Sequence, residues 1–202
     1  MLFRSGVFVT PYAYLAHDVL SVEHRELHTW GMRVGGGLAI LPVALAVAIA
    51  LARQPRGSVG APARPLRAAL LTSMALFAAG GLIGLAIDGS NVKIPAHYHG
   101  SIVGVTLALM GVVYHLLPRL GYGAPRGRLA VSQPYLYGVG QLMHIGGLMW
   151  SGGYGVQRKV AGAEQVLRSP GEVFGMGLMG AGGAVAIAGG LQIGRASCRE
   201  RV

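Results

Sequence analysis

Two histidines, two residues apart, open an apolar stretch: IPAHYHG, Ile94–Gly100, carries His97 and His99. An α-helix turns about 100° per residue, so side chains at i and i+2 point about 200° apart. Two such imidazoles cannot share one metal ion. They can serve two separate sites on opposite flanks of one helix. Neutral imidazole is a common ligand of haem iron, and a helix wedged between two haems would use this spacing. The same pattern also suits two interfacial histidines in contact with water. Ionisable side chains inside or at the mouth of a membrane span are costly and mark functional sites by default.

The elements that must position these residues are read from hydropathy. The chain has 202 residues, 52% hydrophobic and 12% charged, with a mean hydropathy of +0.52. A soluble domain carries about twice that charged fraction. A bilayer span needs about 20 apolar residues, and five stretches qualify: Val34–Ala52, Ala68–Ile87, His97–Leu117, Leu129–Gly152 and Val173–Gln192. Gly6–Val22 reads as the end of a sixth helix, and Glu23–Arg33 as a charged connector. The expected fold is an all-α membrane protein, a bundle of five transmembrane helices plus the end of a sixth. The 34 glycines fall largely inside the spans, where small residues permit close helix approach.

Loop charge gives an orientation. Arg53–Arg67 carries +4 and Arg119–Arg128 carries +3, whereas Asp88–Lys93 sums to 0 and Arg158–Glu172 to +1. The strongly basic loops alternate with the others, and the positive-inside rule puts loops 53–67 and 119–128 in the cytoplasm. Topology therefore accounts for the basic charge. A nucleic-acid footprint would need a basic face on a soluble module, so no nucleic-acid partner is expected. His17, Asp18, His97, His99, Arg158 and Lys159 all fall on the non-cytoplasmic side, as one layer of cofactors would require.

The two ends look foreign. IGRASCRERV, Ile193–Val202, looks like a translated sequencing adapter, and MLFRS, Met1–Ser5, like the adapter of the other end. Setting both aside removes the single cysteine, Cys198, and lowers the net charge from +10 to +7, with 13 basic and 6 acidic residues left. Residues 6–192 are then expected to be part of a larger protein.

FAAGGLIGLAIDGSNVKIPAHYHGSIVGVTLALMGVVYHLLPRLGY, Phe77–Tyr122, resembles the catalytic subunit (subunit I) of the haem–copper oxidase superfamily. The shared features are the GGL-x-G helix (Gly80–Gly84), AHxH opening the next helix (Ala96–His99), and an aromatic-x-x-x-Pro near its end (Tyr114–Pro118). The loop before AHYH is shorter than in mitochondrial-type members. The resemblance extends to AHDVLSV, Ala16–Val22, which matches the family's AHH motif, and to ILPV, Ile40–Val43.

By that resemblance His97 would be the axial ligand of a high-spin, substrate-binding haem, and His99 one of two ligands of a low-spin, electron-donating haem. His17 would bind the second metal opposite the high-spin iron. Asp18 stands where the family usually has a second histidine. A carboxylate is a harder ligand than imidazole and suits iron better than copper, so the second metal would be copper or non-haem iron. Tyr14, three and four residues before His17 and Asp18, shares their helical face and would be a redox-active tyrosine or an interfacial aromatic. Arg158 and Lys159, after the helix holding His144, resemble the family's basic pair, which holds haem propionates; solvated loop charges are the alternative. His24, His28, His115 and His144 read as connector or satisfied-core histidines.

The resemblance implies a respiratory terminal oxidase of a bacterial or archaeal inner (plasma) membrane. It would reduce dioxygen to water with electrons from cytochrome c or quinol, coupled to proton movement, beside other oxidase subunits. The segment alone is expected to be inactive, because the family's other low-spin ligand lies on an absent early helix. A nitric oxide reductase of the same superfamily with non-haem iron is the first alternative. A di-haem electron-transfer cytochrome is the second, and a polytopic transporter without cofactor the third.

Overall fold

The computed structural model describes residues 5–37, 40–55, 57–160 and 162–198. Among them the architecture is all-helical: α1 (Ser5–Ala16), α2 (Val22–Trp30), α3 (Ile40–Arg53), α4 (Arg64–Leu85), α5 (Lys93–Leu116), α6 (Arg128–Gly153) and α7 (Pro170–Cys198). No extended strand forms among these residues; one isolated backbone bridge pairs Asn91 with Gln157. The chain divides into two compact units, Met1–Ser58 and Val59–Val202.

In the first unit, the expected connector after Val22 is a helix. The Ser21 hydroxyl accepts from the His24 amide at 3.1 Å, capping the amino end of α2. Glu23 in the first turn and His28 in the last lie at the ends where the helix dipole favours them. The backbone then runs in the wider π form through Gly31–Gly37. The fourteen-residue α3 would rise about 21 Å at 1.5 Å per residue, short of the roughly 30 Å hydrocarbon core.

Among the described residues three helical stretches, all in the second unit, are long and apolar enough to cross a membrane: Ala61–Leu85, Lys93–Leu120 and Pro170–Gly194. The helix α6 matches them in length, but Ser132, Gln133, Gln141 and His144 lie within it and it is not among the three. The fold class is therefore all-α with three candidate spans, and the bundle of five expected from the sequence is not established by these helices.

Boundaries shift for local reasons. Arg64 and Arg67, expected in the basic loop, lie in the first turn of α4, whose Pro65 occupies a position where its missing amide costs nothing. The helix α5 begins four residues before His97 and places both histidines in its first two turns.

The second unit is built from two close antiparallel pairs, α4 with α5 and α6 with α7. Gly80 and Gly100 face each other, and a Cβ on Gly80 would lie 2.5 Å from the Ser101 amide nitrogen. On α7, Gly175, Gly182 and Gly189 meet Ser151, His144 and Tyr137 of α6 in turn. Lipid gives helices no hydrophobic reason to pair, so close backbone approach through small residues supplies the contact. Leu76, Val103, Leu107, Ile145 and Leu148 fill the space between pairs. A buried polar tie crosses three helices: the Tyr114 hydroxyl donates to Gln133 Oε1 at 3.3 Å, and Gln133 Nε2 donates to the Gly189 carbonyl at 3.2 Å.

The helix α7 continues past Gln192, and Ile193 lies against the cluster of Tyr114, Leu117 and Ala130. Met1–Arg4 and the side chains after Gly194 lie outside the described residues.

Candidate functional site

His97 and His99 diverge, as their spacing on α5 demands. His97 faces α4: its Nδ1–H donates to the Gly80 carbonyl at 2.7 Å. A carbonyl only accepts, so this partner assigns the proton to Nδ1 and leaves the lone pair on Nε2. That is the state in which an imidazole ligates a metal while its other nitrogen is anchored. Gly84 makes the space, since a Cβ there would come within 2.7 Å of the His97 ring.

His99 faces α6. Its ring meets the edge of the His144 ring, with centroids 5.1 Å apart, and lies 5.0 Å from the ring of its neighbour Tyr98. His144 is anchored in turn: its Nδ1–H donates to the Met179 carbonyl of α7 at 3.0 Å. Both histidines of the HxH motif are half-buried.

Above these turns two loops meet. Val92 N–H donates to the Val156 carbonyl at 3.0 Å, joining the α4–α5 connection to the α6–α7 connection. The Lys93 ammonium pairs with Asp88 Oδ1 at 2.6 Å. Hydrogen bonds from Lys93, the larger influence, and from Asn91 hold the Asp88 carboxyl below its ordinary value of 3.8. Arg158 Nε donates to the Ser90 hydroxyl at 3.1 Å, and Lys159 is exposed in the left-handed region at φ 64°. The motif that opens α5 and the basic pair thus share one end of the second unit.

The remaining candidates belong to the first unit. Asp18 is exposed, and its carboxylate accepts from the Leu20 amide at 2.8 Å, closing a turn. His17 lies edge-on to Tyr12, with centroids 6.1 Å apart. Tyr14, expected beside His17 and Asp18, instead packs edge-on against His24 at 4.8 Å and His28 at 5.9 Å. Helical phase does not carry through, because α1 ends at Ala16 and the chain turns before α2. Among the described residues no group of three or more His, Cys, Asp or Glu is placed to hold a metal ion.

Sequence reasoning passed over His144. A histidine in the interior of a long helical stretch was the available signal, but its contact with His99 spans 45 positions and depends on how two helix pairs pack.

Two curated proteins are similar to this chain. An uncharacterized protein of Rickettsia prowazekii (strain Madrid E) is 40% identical over 137 residues, covering 62% of this chain and 26% of that protein. An uncharacterized protein of Aquifex aeolicus (strain VF5) is 29% identical over 124 residues, covering 61% of this chain and 30% of that protein. The matched stretch thus spans under a third of either relative's length. No protein-family model matches the chain, and no solved structure matches it.

Proposed function

We propose that this chain is part of the catalytic subunit of a respiratory haem–copper terminal oxidase, reducing dioxygen to water with electrons from cytochrome c or quinol. In this reading five full transmembrane helices and the end of a sixth lie in a bacterial or archaeal inner membrane, with loops 53–67 and 119–128 cytoplasmic. The observation that carries it is the divergence of His97 and His99 near the start of one apolar helix. His97 is held by the Gly80 carbonyl through Nδ1, which leaves the Nε2 lone pair in the donor state that a ligand of haem iron would need.

The haems would supply the redox chemistry. This chain's residues would hold, orient and shield them. His97 would present Nε2 to the high-spin haem on the α4 side, and His99 would ligate the low-spin haem on the α6 side. Arg158 and Lys159, at the same end, would pair with anionic propionates. His17 and Asp18 would contribute to the second metal site, and Tyr14 would be an interfacial aromatic or a redox-active residue nearby.

The test uses the complete protein that contains this segment, purified in detergent. Two haems per chain are expected by pyridine haemochrome assay. His99→Ala should remove the low-spin spectrum, and His97→Ala should perturb the high-spin haem and leave the low-spin spectrum in place. A purified protein with no haem, or haem unaffected by either substitution, would overturn the reading. Asp18 favours a second reading, a nitric oxide reductase with non-haem iron in place of copper. Non-haem iron beside two haems, with nitric oxide turnover, would select it. Stoichiometric copper with fast dioxygen uptake would select the oxidase.

A further inference from the structure

The helix α2 holds two histidines that the proposed haem sites do not use. His24 and His28 are four residues apart on α2, so they lie on one face of the helix, one turn apart. Their ring centroids are 4.6 Å apart, with the planes tilted by 31°. Both are anchored through the same nitrogen. His24 Nδ1–H donates to the Ala13 carbonyl at 3.1 Å, and His28 Nδ1–H donates to the His24 carbonyl at 2.9 Å. Two carbonyl partners assign both protons to Nδ1 and leave a lone pair on each Nε2. His24 is 7% exposed, held between α2 and the end of α1, while Tyr14 packs its edge against both rings.

We propose that His24 and His28 form a two-imidazole clip for a divalent first-row transition-metal ion such as Zn²⁺ or Cu²⁺. Histidines at i and i+4 on one helical face are a metal-chelating pair. Anchoring the second ring nitrogen fixes the tautomer and orients the lone pair, which raises ligand basicity. At about 2.0–2.1 Å per metal–nitrogen bond, chelation needs the two Nε2 atoms roughly 3 Å apart, within reach of rings whose centroids are 4.6 Å apart. Two imidazoles leave the other coordination positions to water, so the site is open. The ion would enter at the end of α2, and Tyr14 would cover one side of the rings without ligating. Nothing in this proposal depends on the haem assignment.

The experiment titrates the full chain, purified in detergent, with Zn²⁺ against a chromophoric chelator, and with Cu²⁺ followed by electron paramagnetic resonance. The unsubstituted chain should bind one ion that shows nitrogen hyperfine coupling. His24→Ala or His28→Ala should weaken it by roughly tenfold or more. His28→Cys should restore Zn²⁺ binding, and Tyr14→Phe and His97→Ala should leave it unchanged. The nitrogen coupling is read on the unsubstituted chain, so the test survives a variant that fails to fold. Absence of nitrogen coupling, or affinity unchanged in the His24→Ala/His28→Ala double variant, would overturn the proposal.

Discussion

The imidazole of His144 lies edge-on to that of His99, bringing α6 and α5 together through two histidines 5.1 Å apart. The Met179 carbonyl fixes the His144 ring, so the contact rests on α7 as well. If His97 and His99 hold haems as proposed, His144→Ala should release the α6 flank of His99 and lower the share of haem held there, with haem at His97 retained. Haem-to-protein ratio and the low-spin absorbance check this in the complete protein. Equal loss of both haems would mean that His144 acts through the fold as a whole.

Helix approach gives a second test. Gly182 faces the α6 backbone at His144 and Gly140, whereas Gly177 on the same helix has open space around its Cβ position. Gly182→Ala should destabilise the detergent-solubilised chain by about 1–3 kcal/mol, the usual cost of overpacking. Gly177→Ala should be neutral or slightly stabilising, because alanine favours helix over glycine. Thermal unfolding followed by circular dichroism separates the two.

A third concerns the Asp88–Lys93 pair. The folded-state value of Asp88 is lowered below 3.8, so its contribution to stability is present above the unfolded value and lost as pH falls through the folded one. The unfolding midpoint should drop on acidification below about pH 4 more steeply in the wild type than in Asp88→Asn. Because Asp88 is 74% exposed, added salt should shrink the difference. Parallel acid limbs for both proteins would show that the pair contributes nothing.

The buried tie through Gln133 supplies a fourth. Tyr114→Phe removes the hydroxyl that donates to Gln133 Oε1. The expected cost is about 0.6 kcal/mol, typical of interhelical hydrogen bonds in membranes. In a Gln133→Leu background the same substitution should cost nearly nothing. A double-mutant cycle by reversible unfolding measures the coupling, and additive losses would contradict it.

The helices after Arg64 were largely legible in the sequence, because long uninterrupted apolar runs determine both their existence and their approximate length. The divergence of His97 and His99 was equally legible, since it follows from helical angle alone. What was not legible depends on contacts between distant positions. His144 reaches His99 only once α6 packs on α5, and Tyr14 reaches His24 and His28 only because the chain reverses after Ala16. Glu23–Arg33 was misread as a connector because its charge masked a Ser21 cap and a helical spacing of histidines. At α3, hydropathy ran continuously from Val34 while the backbone changed form between Gly31 and Gly37.

The glycines of α7 carry a hidden ambiguity. Gly175, Gly182 and Gly189 recur every seven residues, and Gly140 and Gly147 answer them on α6 at the same interval. A seam with that period looks the same to itself after sliding by one repeat, so smooth backbone contact alone would allow several alignments of the two helices. The bonds from Gln133 to the Gly189 carbonyl and from His144 to the Met179 carbonyl do not break the degeneracy, because backbone carbonyls recur at every residue and a slide of seven would bring an equivalent acceptor to each. A contact between two side chains does not repeat. Trp150 of α6 lies edge-on to Phe174 of α7, with centroids 6.0 Å apart, and the slide would part them. That aromatic pair therefore favours one threading of α7 along α6, and with it the choice of carbonyl that anchors His144 beside His99.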